Sequence, residues 1–176
     1  EGMAYRFVPV KYESGTGIDY GKVDTEIMYE NLMSKFSYGN MELPEVYLDE
    51  TNRRLSYNLR TIFGRLANEL IVEGENDKAV DVLDFAMEKM PAEKFGYNYF
   101  VFGIIDSYYK AGATDKAREL TNSFANHLDA ELDYFSAFDR ENRKRAANEW
   151  RTNLQFYQML LQNVQVHDQD SVQDFY

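Results

Sequence analysis

The stretch Gly74-Glu75-Asn76-Asp77-Lys78-Ala79 recurs 38 residues further on as Gly112-Ala113-Thr114-Asp115-Lys116-Ala117. Both copies lie between segments with helical periodicity, and both make the same physical choices. A glycine takes the left-handed conformation that closes one helix. An aspartate in the first turn of the next helix meets the positive end of its dipole. An alanine then lets the two helices approach closely. The same helix–turn–helix unit is therefore expected twice, and the fold class is all-α.

The periodicity on either side agrees. Leu55, Leu59, Ile62, Phe63, Leu66, Leu70 and Ile71 recur at intervals of three and four before Gly74, so a long helix is expected from Asp49 or Thr51. Ala79, Val82, Leu83, Ala86, Met87 and Met90 continue the stripe after it, and Pro91 stops that helix. Further helices are predicted from about Phe95 to Ala111, from Thr114 or Asp115 past Phe135, and from about Arg140 to Val164. Asp24 is a suitable N-cap for a first helix ending near Phe36. Residues 1–23 read as an irregular, partly extended arm, with Tyr5 to Val10 alternating around Pro9. Residues 24–166 read as the helical domain, and residues 167–176 as a flexible acidic tail.

The paired hexapeptides resemble the tetratricopeptide repeat, a helix–turn–helix unit of about 34 residues. Phe63, Leu66, Ala67, Leu70, Ala79, Leu83, Ala86 and Pro91 all suit that repeat's apolar, small and terminal positions. In the second copy Val101, Ile104, Ile105 and Tyr108 fit, while Thr121 and Phe124 depart from it. The resemblance implies a right-handed helical-repeat stack with units at about 60–93 and 98–131, capped by the flanking helices. The alternative is an ordinary antiparallel bundle with a chance echo. The repeat's groove-lining positions fall on Thr61, Gly64, Asn68, Ile71 and Val72, then on Tyr99, Phe102, Asp106, Tyr109 and Lys110. Of these, Asn68, Tyr99, Phe102, Asp106 and Tyr109 make a polar and aromatic surface that could hold an extended peptide or stack on a sugar. The competing expectation is that the aromatics pack against the arm or an additional helix.

Composition narrows the chemistry. The 176 residues carry 30 acidic and 19 basic side chains, a net charge of -11, and no cysteine. Disulfides, thiolate nucleophiles and Cys-ligated metals are excluded. Nucleic acid is a poor partner for so acidic a chain. Two histidines forty residues apart suggest no metal site, and no catalytic residue or cofactor is expected. Gly15, Gly17 and Gly21 match neither a dinucleotide fingerprint nor a P-loop. Carboxylate pairs such as Glu69 and Glu73 or Asp129 and Asp133 read as solvated helix faces. One basic cluster, Arg140, Arg143, Lys144 and Arg145, could contact phosphate or anionic lipid headgroups. Its competing reading is a solvated turn interleaved with acids. The chain begins at Glu1 without a basic region followed by an apolar one, and the expectation is a piece cut from a longer protein.

A wider resemblance rests on Tyr5-Arg6-Phe7-Val8-Pro9-Val10, Gly17-Ile18-Asp19-Tyr20-Gly21-Lys22-Val23-Asp24, Val46-Tyr47-Leu48-Asp49-Glu50 and Phe63-Gly64-Arg65-Leu66-Ala67. Met90-Pro91 and Tyr108-Tyr109-Lys110-Ala111-Gly112 add to it. Nearly the whole chain resembles the soluble C-terminal region of polytopic membrane proteins of Bacteroidetes. Those proteins are grouped with GT-C-type glycosyltransferases and are similar to protein O-mannosyltransferases. Asp170-Ser171-Val172 resembles the acceptor sequence of periplasmic O-glycosylation in the same bacteria. The resemblance implies a periplasmic, non-catalytic interaction or scaffold domain of a multi-pass enzyme. Its partners would be the membrane-embedded part of its own chain and an acceptor polypeptide. The alternative function is a carbohydrate-binding or hydrolytic domain that uses groove aromatics and carboxylates.

Overall fold

In a computed structural model of the chain, the two hexapeptides form the same turn. Gly74 and Gly112 both sit at φ +81°. The Glu75 N–H donates to Leu70 O at 2.8 Å and the Gly74 N–H to Ile71 O at 3.0 Å. In the second copy Ala113 donates to Tyr108 O at 2.9 Å and Gly112 to Tyr109 O at 3.0 Å. These nested bonds satisfy carbonyls that a helix end otherwise leaves open. Ala79 and Ala117, at the start of each following helix, are fully buried. The first turn joins α2 (Glu50–Val72) to α3 (Asn76–Lys89), and the second joins α5 (Tyr99–Lys110) to α6 (Thr114–Ser136).

An alanine Cβ at either glycine would meet no atom within 4 Å, so the cost of substitution lies in the backbone alone. Gly74→Ala and Gly112→Ala should therefore each destabilise by about 1–2 kcal/mol. The two losses should be nearly equal in urea unfolding followed by circular dichroism. Very unequal losses would show that the turns are not energetically alike.

The structure describes residues 4, 6, 7, 9 and 21–171. It divides into two compact units, Glu1–Gly96 and Tyr97–Tyr176. Among the described residues every regular element is helical, and no helix is long and apolar enough to cross a membrane.

In the N-terminal unit, α1 (Thr25–Glu30) starts where Asp24 accepts the Ile27 N–H at 3.1 Å. It runs on as a single π-helical turn, Asn31–Lys35. Asp49 caps α2 by accepting the Asn52 N–H at 2.7 Å. Helix α2 then buries Phe63, Leu66, Ala67 and Leu70 along α3, which contributes Val82, Leu83 and Ala86. Tyr38, just past the expected end of the first helix, joins this core. Its ring lies 5.5 Å from Phe85 and 6.0 Å from Phe63, and its hydroxyl donates to Leu32 O at 2.7 Å. Burial pushes its phenol up to about 12.

In the C-terminal unit, α5 and α6 form an antiparallel pair, and α8 (Ala147–His167) packs against both. The core combines Val101, Ile104 and Ile105 with Phe124, Leu128, Leu160 and Val164. Tyr97 stacks between this core and the surface, 5.1 Å from Phe124 and 4.8 Å from the exposed His127.

Several boundaries differ from the sequence reading. Where one helix is expected from about Phe95, a short helix α4 (Ala92–Phe95) ends at that point and α5 begins only at Tyr99. Gly96 at φ +86° closes α4, and the Asn98 side chain starts α5 by accepting the Phe100 N–H at 3.1 Å. The last helix is divided, at Ala146, into α7 (Arg140–Arg145) and α8. The tail expected to be flexible from His167 is held down through Ser171. His167 stacks on Tyr109 at 5.3 Å, and Asp168 is buried in an ion pair with Arg118. Of the expected extended stretch, Arg6, Phe7 and Pro9 are described, exposed and in no regular element, while Tyr5, Val8 and Val10, most of the rest of the arm and the end of the tail lie outside the described residues.

Candidate functional site: an aromatic cleft with an arginine rim

The end of helix α6 and the turn that follows carry three aromatic side chains, Tyr134, Phe135 and Phe138. The Phe138 ring meets Tyr134 at 4.8 Å and Phe135 at 5.7 Å, both edge-on. Such edge-to-face contacts are favourable beyond the area they bury. Asp139 then accepts the Asn142 N–H at 2.8 Å and starts α7, with only three residues between the two helices. The tight corner carries Arg143 back over that end. Its Nε donates to Phe138 O and its Nη2 to Ser136 O, both at 2.7 Å. A guanidinium is well matched to the exposed carbonyls and negative dipole end of a helix.

The small residues Ala146 and Ala147 turn the chain into α8 without filling the space beside α6. Trp150, Arg151 and Leu154 follow within the next two turns of α8. The result is an open cleft of about 460 Å³, lined by Phe135, Ser136, Arg143, Ala146, Ala147, Trp150, Arg151 and Leu154. Its apolar surface comes from Phe135, Trp150 and Leu154. The lining contains no carboxylate, imidazole or ammonium group.

The surrounding charge departs from that of the chain. Residues 140–151 carry Arg140, Arg143, Lys144, Arg145 and Arg151 against Glu141 and Glu149. Arg145 pairs with Glu141 at 2.7 Å, four residues away. Arg143 is held by carbonyls and makes no ion pair among the described residues. Arg140, Lys144 and Arg151 are exposed, with no ion pair among the described residues. The basic cluster read from the sequence thus has two parts. Arg143 and Arg145 are partly occupied within the fold, while Arg140 and Lys144 face solvent.

The expected groove residues fall in both units, and those of the C-terminal unit do not form one open surface. Asn68 is exposed on α2, in the N-terminal unit. Asp106 and Tyr109 are covered by α8. The Asn163 Nδ2 donates to Asp106 Oδ1 at 3.0 Å, His167 Nε2 lies 3.3 Å from the same oxygen, and Lys110 Nζ lies 2.6 Å from Oδ2. Tyr109 is 7% exposed, and its burial raises the phenol above its ordinary value. Tyr109 is therefore corrected from a groove residue to a core residue. The repeat pattern treats the face of α5 as open, whereas here a later helix of the same chain folds over it. Tyr99 stays 59% exposed and Phe102 half-buried, with their rings 6.4 Å apart.

The cleft is not legible in the sequence, because Phe135, Trp150 and Leu154 stand at helical spacing and read there as ordinary apolar helix positions. The available signal was the chain's single tryptophan beside a net-positive run in an acidic sequence. No family model matches the chain, and neither a curated protein nor a solved structure does.

Proposed function

We propose that the chain is a non-catalytic interaction module of tetratricopeptide-like helix pairs, and that it holds a segment of polypeptide in the cleft beside Trp150. One observation carries this reading. The cleft presents an aromatic and aliphatic floor under an arginine rim, and its lining has no acid–base pair. Binding sites of this kind combine apolar area with a few polar groups that orient the ligand. Hydrolysis of a glycosidic bond would call for two carboxyl groups facing across the site, and the cleft lining supplies none. The matching turns at Gly74 and Gly112 support the helical-repeat part of the proposal.

In the setting that the sequence resemblance implies, the module belongs to the periplasmic side of a membrane glycosyltransferase. The polypeptide would then be an acceptor, or a loop of the membrane-embedded part of the same protein. The test is calorimetric titration with peptides of mixed composition. Trp150→Ala should weaken binding about 30-fold, the usual consequence of removing a central tryptophan. Glycosyl transfer or hydrolysis by the chain alone would overturn the proposal, as would binding that is indifferent to Trp150.

A further inference from the structure

We propose that the occupant of this cleft is an acidic peptide segment. One bulky apolar side chain would sit on Trp150, Phe135 and Leu154, and flanking carboxylates would meet Arg143 and Arg151. The inference rests on the interaction-module reading and adds the chemistry of the partner.

Three observations lead to it. First, acids outnumber bases by 30 to 19 in the chain, yet neither arginine at the cleft has an ion-pair partner among the described residues. In such a chain, cations without a carboxylate beside an apolar recess are complementary to an anion that also has an apolar body. Second, Arg143 is oriented before any ligand arrives. Two carbonyls hold Nε and Nη2 and leave the Nη1 donors available. A guanidinium fixed in this way gives up little freedom when it takes a carboxylate, and its planar fork suits that group. Third, a recess of about 460 Å³ admits a few side chains and is too small for a folded domain.

The same surface disfavours an anionic bilayer. Asp133, Asp139, Glu141 and Glu149 are all exposed and lie within three positions of a cleft-lining residue in sequence. A planar negative surface would meet them together with the arginines, whereas lipid-binding stretches are dense in cations. A peptide can direct its carboxylates to the arginines and avoid the acids. A concave recess also calls for a protruding side chain.

Trp150 is the sole tryptophan, so its emission reports occupation of the cleft directly. The experiment titrates the chain with a peptide carrying one leucine between glutamates. Counterparts with glutamines or lysines in place of the glutamates are the controls, together with phosphatidylglycerol–phosphatidylcholine vesicles. The glutamate peptide should bind at least about tenfold more tightly than the glutamine peptide, as charge-assisted contacts predict. Arg151→Gln should remove most of that preference while leaving the urea midpoint unchanged. Arg151→Glu should transfer the preference to the lysine peptide.

Equal binding of the glutamate and glutamine peptides would overturn the charge inference and leave the module reading standing. No binding of any peptide would overturn both. A Trp150 response to vesicles alone would also overturn both and make this face a lipid contact.

Discussion

Arg60→Ala should lower the unfolding free energy of the N-terminal unit by about 3 kcal/mol, as the sum of lost charged hydrogen bonds and a residual cavity. Arg60 is 1% exposed and is among the largest fully buried side chains of the chain. Its Nη2 donates to Met90 O at 2.7 Å and its Nη1 to Gly96 O at 3.0 Å. Its guanidinium carbon lies 5.7 Å from the centre of the Phe95 ring. One side chain on α2 thus holds both ends of the segment that follows α3, including the short helix α4. Burial pushes the guanidinium down to about 10, opposed by the nearby Tyr57 and Glu93. It is still a cation at neutral pH.

Two opposing effects set the size of the loss. Removing a desolvated charge is favourable in itself, which is why buried ions can be replaced by apolar groups at little cost. Here, however, the partners are carbonyls that end a helix and a loop, and without the guanidinium both lose their donor. That loss and the cavity outweigh the relief. Arg60→Met keeps the volume of the stem and should cost about 1 kcal/mol less than Arg60→Ala, the saving being the cavity contribution. Arg60→Lys has no fork with which to reach both carbonyls and should fall between the two. Urea unfolding followed at 222 nm is the measurement, because Trp150 lies in the other unit. A loss under about 0.5 kcal/mol for Arg60→Ala, the range of ordinary surface substitutions, would refute the clamp.

The sequence revealed features whose causes are local. The turns at Gly74 and Gly112, the Asp24 and Asp49 caps, and the stripe from Phe63 to Leu70 depend on a few neighbouring residues, so spacing alone exposes them. The break at Ala146 carries no glycine or proline. It follows from the tight corner after Asp139 and the hold of Arg143 on α6, and no composition rule marks such a place. Without that break the cleft cannot be foreseen, since Trp150 and Leu154 then read as one more buried stripe. The burial of Tyr109 is illegible for a different reason. Its environment is made by α8, almost sixty residues away in sequence, and a repeat pattern contains no information about a helix that returns over its own surface. The burial of Arg60 is illegible too, because a charged residue in a helix reads as solvated unless its distant carbonyl partners are known.

The second large effect concerns the tie between α6 and the end of α8, and it should be unequal for the two partners. Arg118 Nε lies 2.5 Å from Asp168 Oδ2, and Nη2 lies 2.7 Å from Oδ1. The Asp168 side chain is 4% exposed and that of Arg118 is 40% exposed. Arg118→Ala leaves a buried carboxylate without its counter-charge and should cost clearly more stability than Asp168→Asn. Asp168→Asn leaves a cation that water can reach and should cost about 1 kcal/mol. Equal losses would mean that the carboxylate is solvated.

The pH dependence follows from the same geometry. The Arg118 bond holds the Asp168 carboxyl below its usual range. Its contribution is therefore full above the unfolded value near 4 and is lost as pH falls through the folded value. The gap between the native chain and Asp168→Asn should accordingly close on acidification below about pH 4, the unfolded carboxyl's own range. In Arg118→Ala the stranded carboxyl takes up its proton more readily, because burial without a counter-charge disfavours the anion. Its deficit should begin to shrink at a higher pH. Loss of the tie should release His167 from Tyr109, seen as faster amide exchange over the last turn of α8. Asp168 and Trp150 are 18 residues apart along that helix, about 27 Å at the usual rise per residue. Peptide binding at the cleft should therefore survive Arg118→Ala while stability falls, which separates the tie that secures α8 from the surface on which it works.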